Sequence, residues 1–137
     1  MSTKKENTPE VTVLPTVDEQ EYETVMEEAK NSAYEFTVEF ATPFTFEGDT
    51  FEKLSFNFGG TRAKDSLAIE SELNAIGKTP MVLAFSGDYL LRMAMRACTD
   101  RKPNGMKLGF DFFEELPLDA YIKIRDKTRS FVLRAGL

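Results

Sequence analysis

The spacing of apolar side chains changes character along this chain, first to a period of two and then to longer, helical intervals. From Tyr34 the even positions Tyr34, Phe36, Val38, Phe40, Phe44 and Phe46 are apolar, with Glu35, Thr37, Glu39, Thr45 and Glu47 between them. Alternate side chains of a strand point to opposite faces, so this run predicts a half-buried strand. Alternation resumes after Gly48 and Asp49, where Leu54, Phe56 and Phe58 alternate with Lys53, Ser55 and Asn57. The two runs predict a β-hairpin. Pro43 has no backbone donor and belongs at an outward-facing edge position or at a break in the strand. A tight turn at Gly48-Asp49 would pair Phe44 with Lys53 and set apolar against polar down the ladder. A three-residue loop at Gly48-Asp49-Thr50, or a bulge, opposes Phe44 to Leu54 and Phe40 to Phe58, and this is the expected register.

Helical spacing follows. Gly59-Gly60 ends the hairpin and Thr61 is placed to cap "RAKDSLAIESELNAIG", whose Ile69, Leu73 and Ile76 share one face, with Gly77 as the stop. "KTPMVLAF" is an apolar run with Pro80 that reads equally as a turn or a helical lead-in. Ser86 caps "GDYLLRMAMRACTD", where apolar side chains surround all but a stripe of Asp88, Arg92 and Arg96. Such a helix belongs in the middle of a core. "RKPNG" predicts a loop and "MKLGFDFFEEL" a short helix carrying Phe112, Phe113 and Leu116. Pro117 suits the start of a last helix in which Tyr121, Ile124, Thr128, Phe131 and Ala135 form one face and Lys123, Lys127 and Arg134 another. The stretch before Tyr34 is different: residues 1–16 are polar without a period, and "TVDEQEYETVMEEAKNSA" offers a thin apolar stripe of Tyr22, Val25 and Met26 behind an N-cap at Thr16 or Asp18. The expected organisation is a flexible acidic arm over residues 1–33, with or without a short helix, and one domain over 34–137. The fold class is α+β, mainly α: an N-terminal hairpin followed by a small bundle of three to four helices.

Composition narrows the function. The chain of 137 residues has no histidine and a single cysteine, Cys98, in an apolar helical setting. Histidine is the commonest general base and zinc ligand, so triads and zinc sites of the usual kinds are excluded, as is an internal disulfide. No phosphate-binding loop, dinucleotide fingerprint or calcium loop occurs, and neither catalysis nor a cofactor is expected. Gly59-Gly60-Thr61 reads better as a strand-to-helix turn than as an anion cradle. Charged residues interrupt every apolar run well short of the roughly 18 residues of a membrane span, and the first ten residues do not read as a secretory signal. Residence in the cytoplasm is therefore expected. A net charge of −6 opposes non-specific nucleic-acid binding. The charge is unevenly placed: eight acids and three lysines up to Ala33, against five basic residues and one aspartate in "YIKIRDKTRSFVLRAGL".

Half of the sixteen Phe and Tyr residues lie between Tyr34 and Phe58. A two-stranded hairpin does not stabilise itself in water, so its apolar face must be covered. The cover is either the protein's own helices or another molecule, through self-association or an apolar partner segment. The candidate partner-binding residues are the ring positions Phe44, Phe46, Phe51 and Phe56, together with the basic positions Lys123, Lys127 and Arg134.

The order of "PFTFEGDTFEKLSF", a helix, "SGDYLLRMAMRACT" and "FFEELPLDAYIKIRDKTRSFVL" resembles the tail assembly chaperones of long-tailed bacteriophages. The resemblance is carried by Phe44, Phe46, Glu47, Gly48 and Phe51 in the hairpin and by Tyr89, Ala94, Arg96 and Ala97 in the apolar helix. At the C-terminal end it is carried by Phe113, Leu116, Pro117 and Asp119, then Ile124, Phe131 and Leu133. It departs from the family in a longer acidic stretch before Tyr34 and in "DRKPNGMKLGFD", which reads as an insertion. The resemblance implies a non-catalytic protein of the host cell cytoplasm. It would bind the tape measure protein, keep it soluble until the tail tube protein polymerises around it, and be absent from the mature virion. Contact with the tail tube protein itself is a further implied partnership. Two other readings are a structural tail or head-completion subunit that stays in the virion and, less favoured by the charge, a nucleic-acid-binding regulator using the basic last helix.

Overall fold

A computed structural model describes residue 20 and residues 34–135. Apart from Gln20, the arm and acidic helix expected before Tyr34 lie outside the described residues. Contacts divide the chain into Met1–Ser32 and Ala33–Leu137, and every element named below lies in the second unit.

The hairpin is present, as strands β1 (Glu35–Phe46) and β2 (Asp49–Asn57) paired antiparallel. Its register is neither of the two weighed from sequence. The turn residues are Glu47 and Gly48, both at positive φ (50° and 88°), which is the mirror-image geometry that matches strand twist. At the tip Phe44 faces Phe51 and Phe46 faces Asp49; at the base Phe36 faces Phe56 and Val38 faces Leu54. Between these segments the four residues 40–43 of β1 stand opposite Glu52 alone, a surplus of three. Pro43 falls in this bulge, where no ladder donor is required. The expected pairings of Phe44 with Leu54 and Phe40 with Phe58 are thus replaced. An odd surplus inverts the parity of β2 relative to β1, so Phe51, an odd residue, joins the even residues of β1 on the apolar face.

Helix α1 (Ala63–Ala75) follows a 3-10 turn at Phe58–Gly60. Its N-cap is Arg62 rather than Thr61: the Asp65 carboxylate accepts from the Arg62 amide at 2.7 Å, while the Thr61 hydroxyl donates back to the Phe58 carbonyl. Ile69 and Leu73 are buried, but Ile76 lies past the last turn and is 56% exposed. Gly77 terminates the helix at φ 79°, with the Lys78 amide donating to the Leu73 carbonyl. The open stretch after it contains a 3-10 turn at Leu83–Phe85. Ser86 then caps α2 (Gly87–Ala97) by accepting from the Tyr89 amide. Helix α2 contacts α1, β2, the short helix α3 (Phe110–Glu114) and the long helix α4 (Leu118–Ala135), which is the central position its apolar surround implies.

Cys98 leaves the helix and bridges to Phe56, so residues 98–100 cover the edge of β2. The Asp100 carboxylate accepts from the Ser55 amide at 2.6 Å and the Thr99 amide donates to the Ser55 carbonyl. An exposed strand edge would otherwise present those groups to any other chain. Helix α4 turns Ile124 and Thr128 into the core; the Thr128 hydroxyl is satisfied by the Ile124 carbonyl at 2.7 Å. Phe56, Phe58, Phe112 and Phe113 are the largest fully buried side chains, each contributing roughly 1.5–3 kcal/mol of hydrophobic free energy.

Candidate functional site

The seven candidate residues separate into three environments. Phe44, Phe46 and Phe51 are half-buried and converge edge-on upon Phe112 of α3, with ring centroids at 5.4, 5.3 and 4.9 Å. Edge-to-face geometry puts the positive rim of one ring on the negative face of the other, and one buried ring thereby closes the hairpin tip. Phe56 is 1% exposed, stacked on Phe36 at 4.8 Å. Its ring is sealed by the protein itself, so it is corrected from a surface candidate to a core residue. Phe58 stacks on Phe131 of α4 at 4.7 Å, which anchors the hairpin base. The aromatic face is therefore covered mainly by the chain's own helices.

Lys123, Lys127 and Arg134 are exposed on α4, and neither lysine makes a cation–π contact with a hairpin ring among the described residues. Arg134 lies in the last turn, where a cation complements the helix dipole. The two sets of candidates do not form one site.

A third region gathers around the start of α2. The polar stripe of that helix is tied to α1 by a ladder of alternating charge. Arg96 meets Asp65 at 3.0 Å and Glu72 at 3.6 Å, Arg92 meets Glu72 at 3.7 Å and Asp88 at 3.3 Å, and Lys78 meets Asp88 at 3.1 Å. The Arg92 guanidinium also lies over the Phe110 ring, 4.1 Å from its centroid. The hydrogen bond from the Arg62 amide, with further help from Arg96, holds the Asp65 carboxyl below its ordinary pKa of 3.8 against the opposing effect of burial.

Beside this ladder lies an open cavity of about 490 Å³ lined by Leu91, Phe113, Leu118 and Tyr121 among others. Gly87 borders it, and a Cβ there would stand 2.5 Å from the Tyr121 hydroxyl, so glycine is what lets α2 begin against α4. A neighbouring cavity of about 500 Å³ is lined by Met81, Val82 and Phe85. These three are 100%, 52% and 68% exposed. None of them was a candidate from sequence. The apolar run "MVLAF" was visible, but nothing in its pattern distinguished exposed positions from buried ones.

Burial pushes the Cys98 thiol up to about 11, which keeps it protonated and unreactive at neutral pH. Among the described residues no cluster of three or more His, Cys, Asp or Glu side chains could hold a metal ion, and no helix is long and apolar enough to cross a membrane. Comparison of the chain with protein-family models, with curated proteins and with solved structures finds no match.

Proposed function

We propose that this protein is a phage tail assembly chaperone, which binds the tape measure protein, keeps it soluble during tail morphogenesis and carries out no chemistry. The observation that carries this reading is the set of large apolar side chains held in water around open cavities at Met81, Val82, Phe85 and Leu118. Surface of this kind is covered when a partner's apolar segment docks. The residues behind the family resemblance also have definite tasks in the fold: Gly48 makes the hairpin turn, Phe113 and Ile124 lie in the core, and Pro117 precedes the last helix. Acting in the host cell cytoplasm, the protein shelters a sticky helical cargo and gives it up as the tail tube protein assembles around it.

The test is co-expression with the tape measure protein encoded nearby. The tape measure protein should move from the insoluble to the soluble fraction and be retained with the tagged chaperone. If it stays insoluble and unretained, the reading fails. Mass spectrometry of purified virions should find no copies of this chain; stoichiometric copies would make it a structural subunit.

A further inference from the structure

Asp88 lines both cavities, so they adjoin at the start of α2, one bounded by Phe110 and Leu116 and the other by Met81 and Phe85. The lining of the first cavity grades from buried Leu91, Phe113 and Leu116, through half-buried Phe110 and Tyr121, to Leu118 at 70% exposed. Its charged residues are Asp88 and Glu114, both carboxylates, while the second cavity adds Lys78 beside Asp88. Asp88 is engaged with Lys78 and Arg92, whereas Glu114 is paired with no cation among the described residues. The hairpin is a poorer receptor, because Phe44, Phe46 and Phe51 are already occupied with Phe112.

We propose that this apolar groove, in which Glu114 is the carboxylate left unpaired among the described residues, is where the partner segment docks, and that the occupant is an amphipathic helix bearing large apolar side chains at three- and four-residue spacing, flanked by lysine or arginine. The proposal rests on the chaperone reading and adds the place and the charge of the cargo. A helix laid in a groove anchors through side chains at i, i+3, i+4 and i+7, and two adjoining cavities suit successive anchors. The thioether of Met81 is flexible enough to adapt to anchors of different shape. A lysine on the occupant lays its apolar stem along Leu118 and brings its ammonium to Glu114. That carboxylate then selects basic over acidic helices.

The experiment uses the full chain and a fluorescein-labelled helical peptide of about 18 residues, with leucines at i, i+3, i+4 and i+7 and lysines beside them. A counterpart carries glutamate in place of each lysine. By fluorescence anisotropy the lysine peptide should bind at least about tenfold more tightly than its counterpart. Leu118→Asp should weaken binding of the lysine peptide about tenfold, and Glu114→Lys should abolish the charge preference. Glu52→Lys, the same charge change on the hairpin away from the groove, should leave the preference intact. Leu118 and Glu114 are both exposed, so these variants keep the core. Equal binding of the two peptides, or wild-type behaviour of both groove variants, overturns the proposal. The same variants are then carried into the tape measure co-expression. Capture that persists in both removes the groove and leaves the chaperone reading standing; peptide selectivity without any tape measure capture by the wild-type chain removes the chaperone reading and leaves the groove.

Discussion

The hairpin and the segment leading into α2 are both crowded with apolar side chains, yet they end in opposite conditions. The hairpin rings are packed on one another and on Phe112 and Phe131, whereas Met81, Val82 and Phe85 are left in water. Aromatic richness therefore does not locate free surface. What decides is whether another element supplies a ring or a helix face at the right place. Phe112 does so for the hairpin tip; no described element does so for Met81.

The largest effect should come from breaking the hairpin's cover. Phe112→Ala removes a fully buried ring that contacts Phe44, Phe46, Phe51 and Phe113, and should cost about 3–5 kcal/mol of unfolding free energy in urea titrations. It should also convert the covered region into an open one, read as new binding of an apolar dye and faster amide exchange at the tip. Stability within about 0.5 kcal/mol of wild type, the size expected for a surface change, would falsify the view that Phe112 closes the face.

Next comes the groove's own scaffold. Arg92→Ala takes away both a cation–π contact and the link between Asp88 and Glu72 from a side chain only 12% exposed, and should cost about 2 kcal/mol. Arg92→Lys should recover little, since an ammonium reproduces neither the planar stacking nor the two-sided pairing. Gly87→Ala should cost about 1–2 kcal/mol because its methyl group meets the Tyr121 hydroxyl, and adding Tyr121→Phe should restore most of that loss in thermal melts.

Acid should remove the contribution of Asp65 to the ladder. The pKa of Asp65 is lowered on folding, so the folded state binds its proton less readily than the unfolded chain. The associated stability is present above about pH 3.8 and is lost as pH falls through the ordinary value and then the depressed one. In Asp65→Asn the fall of stability below that pH should be shallower, measured by urea unfolding across the acid range. The smallest effect belongs to the turn: Glu47 adopts a positive φ that asparagine tolerates better, so Glu47→Asn should stabilise the hairpin by about 0.5 kcal/mol, its weak pairing with Lys102 being of little consequence.

Periodicity in the chain was enough to define the architecture. Alternation over Tyr34–Phe58, the cap at Ser86, the glycine stop at Gly77, the all-round apolar α2 and the helix start at Pro117 are local signals that act within one or two turns, and the hairpin with its bundle of helices follows from them. The same local logic anticipated the stripe Asp88, Arg92 and Arg96, because four-residue spacing aligns side chains along a helix whatever it packs against. Tertiary structure alone decided the rest. A bulge of three residues reset the hairpin register, because the gain from bringing Phe51 beside Phe112 depends on an element more than fifty residues away. Whether Phe56 or Phe85 faces water is likewise a question of which distant surface covers it, and a one-dimensional pattern carries no term for that.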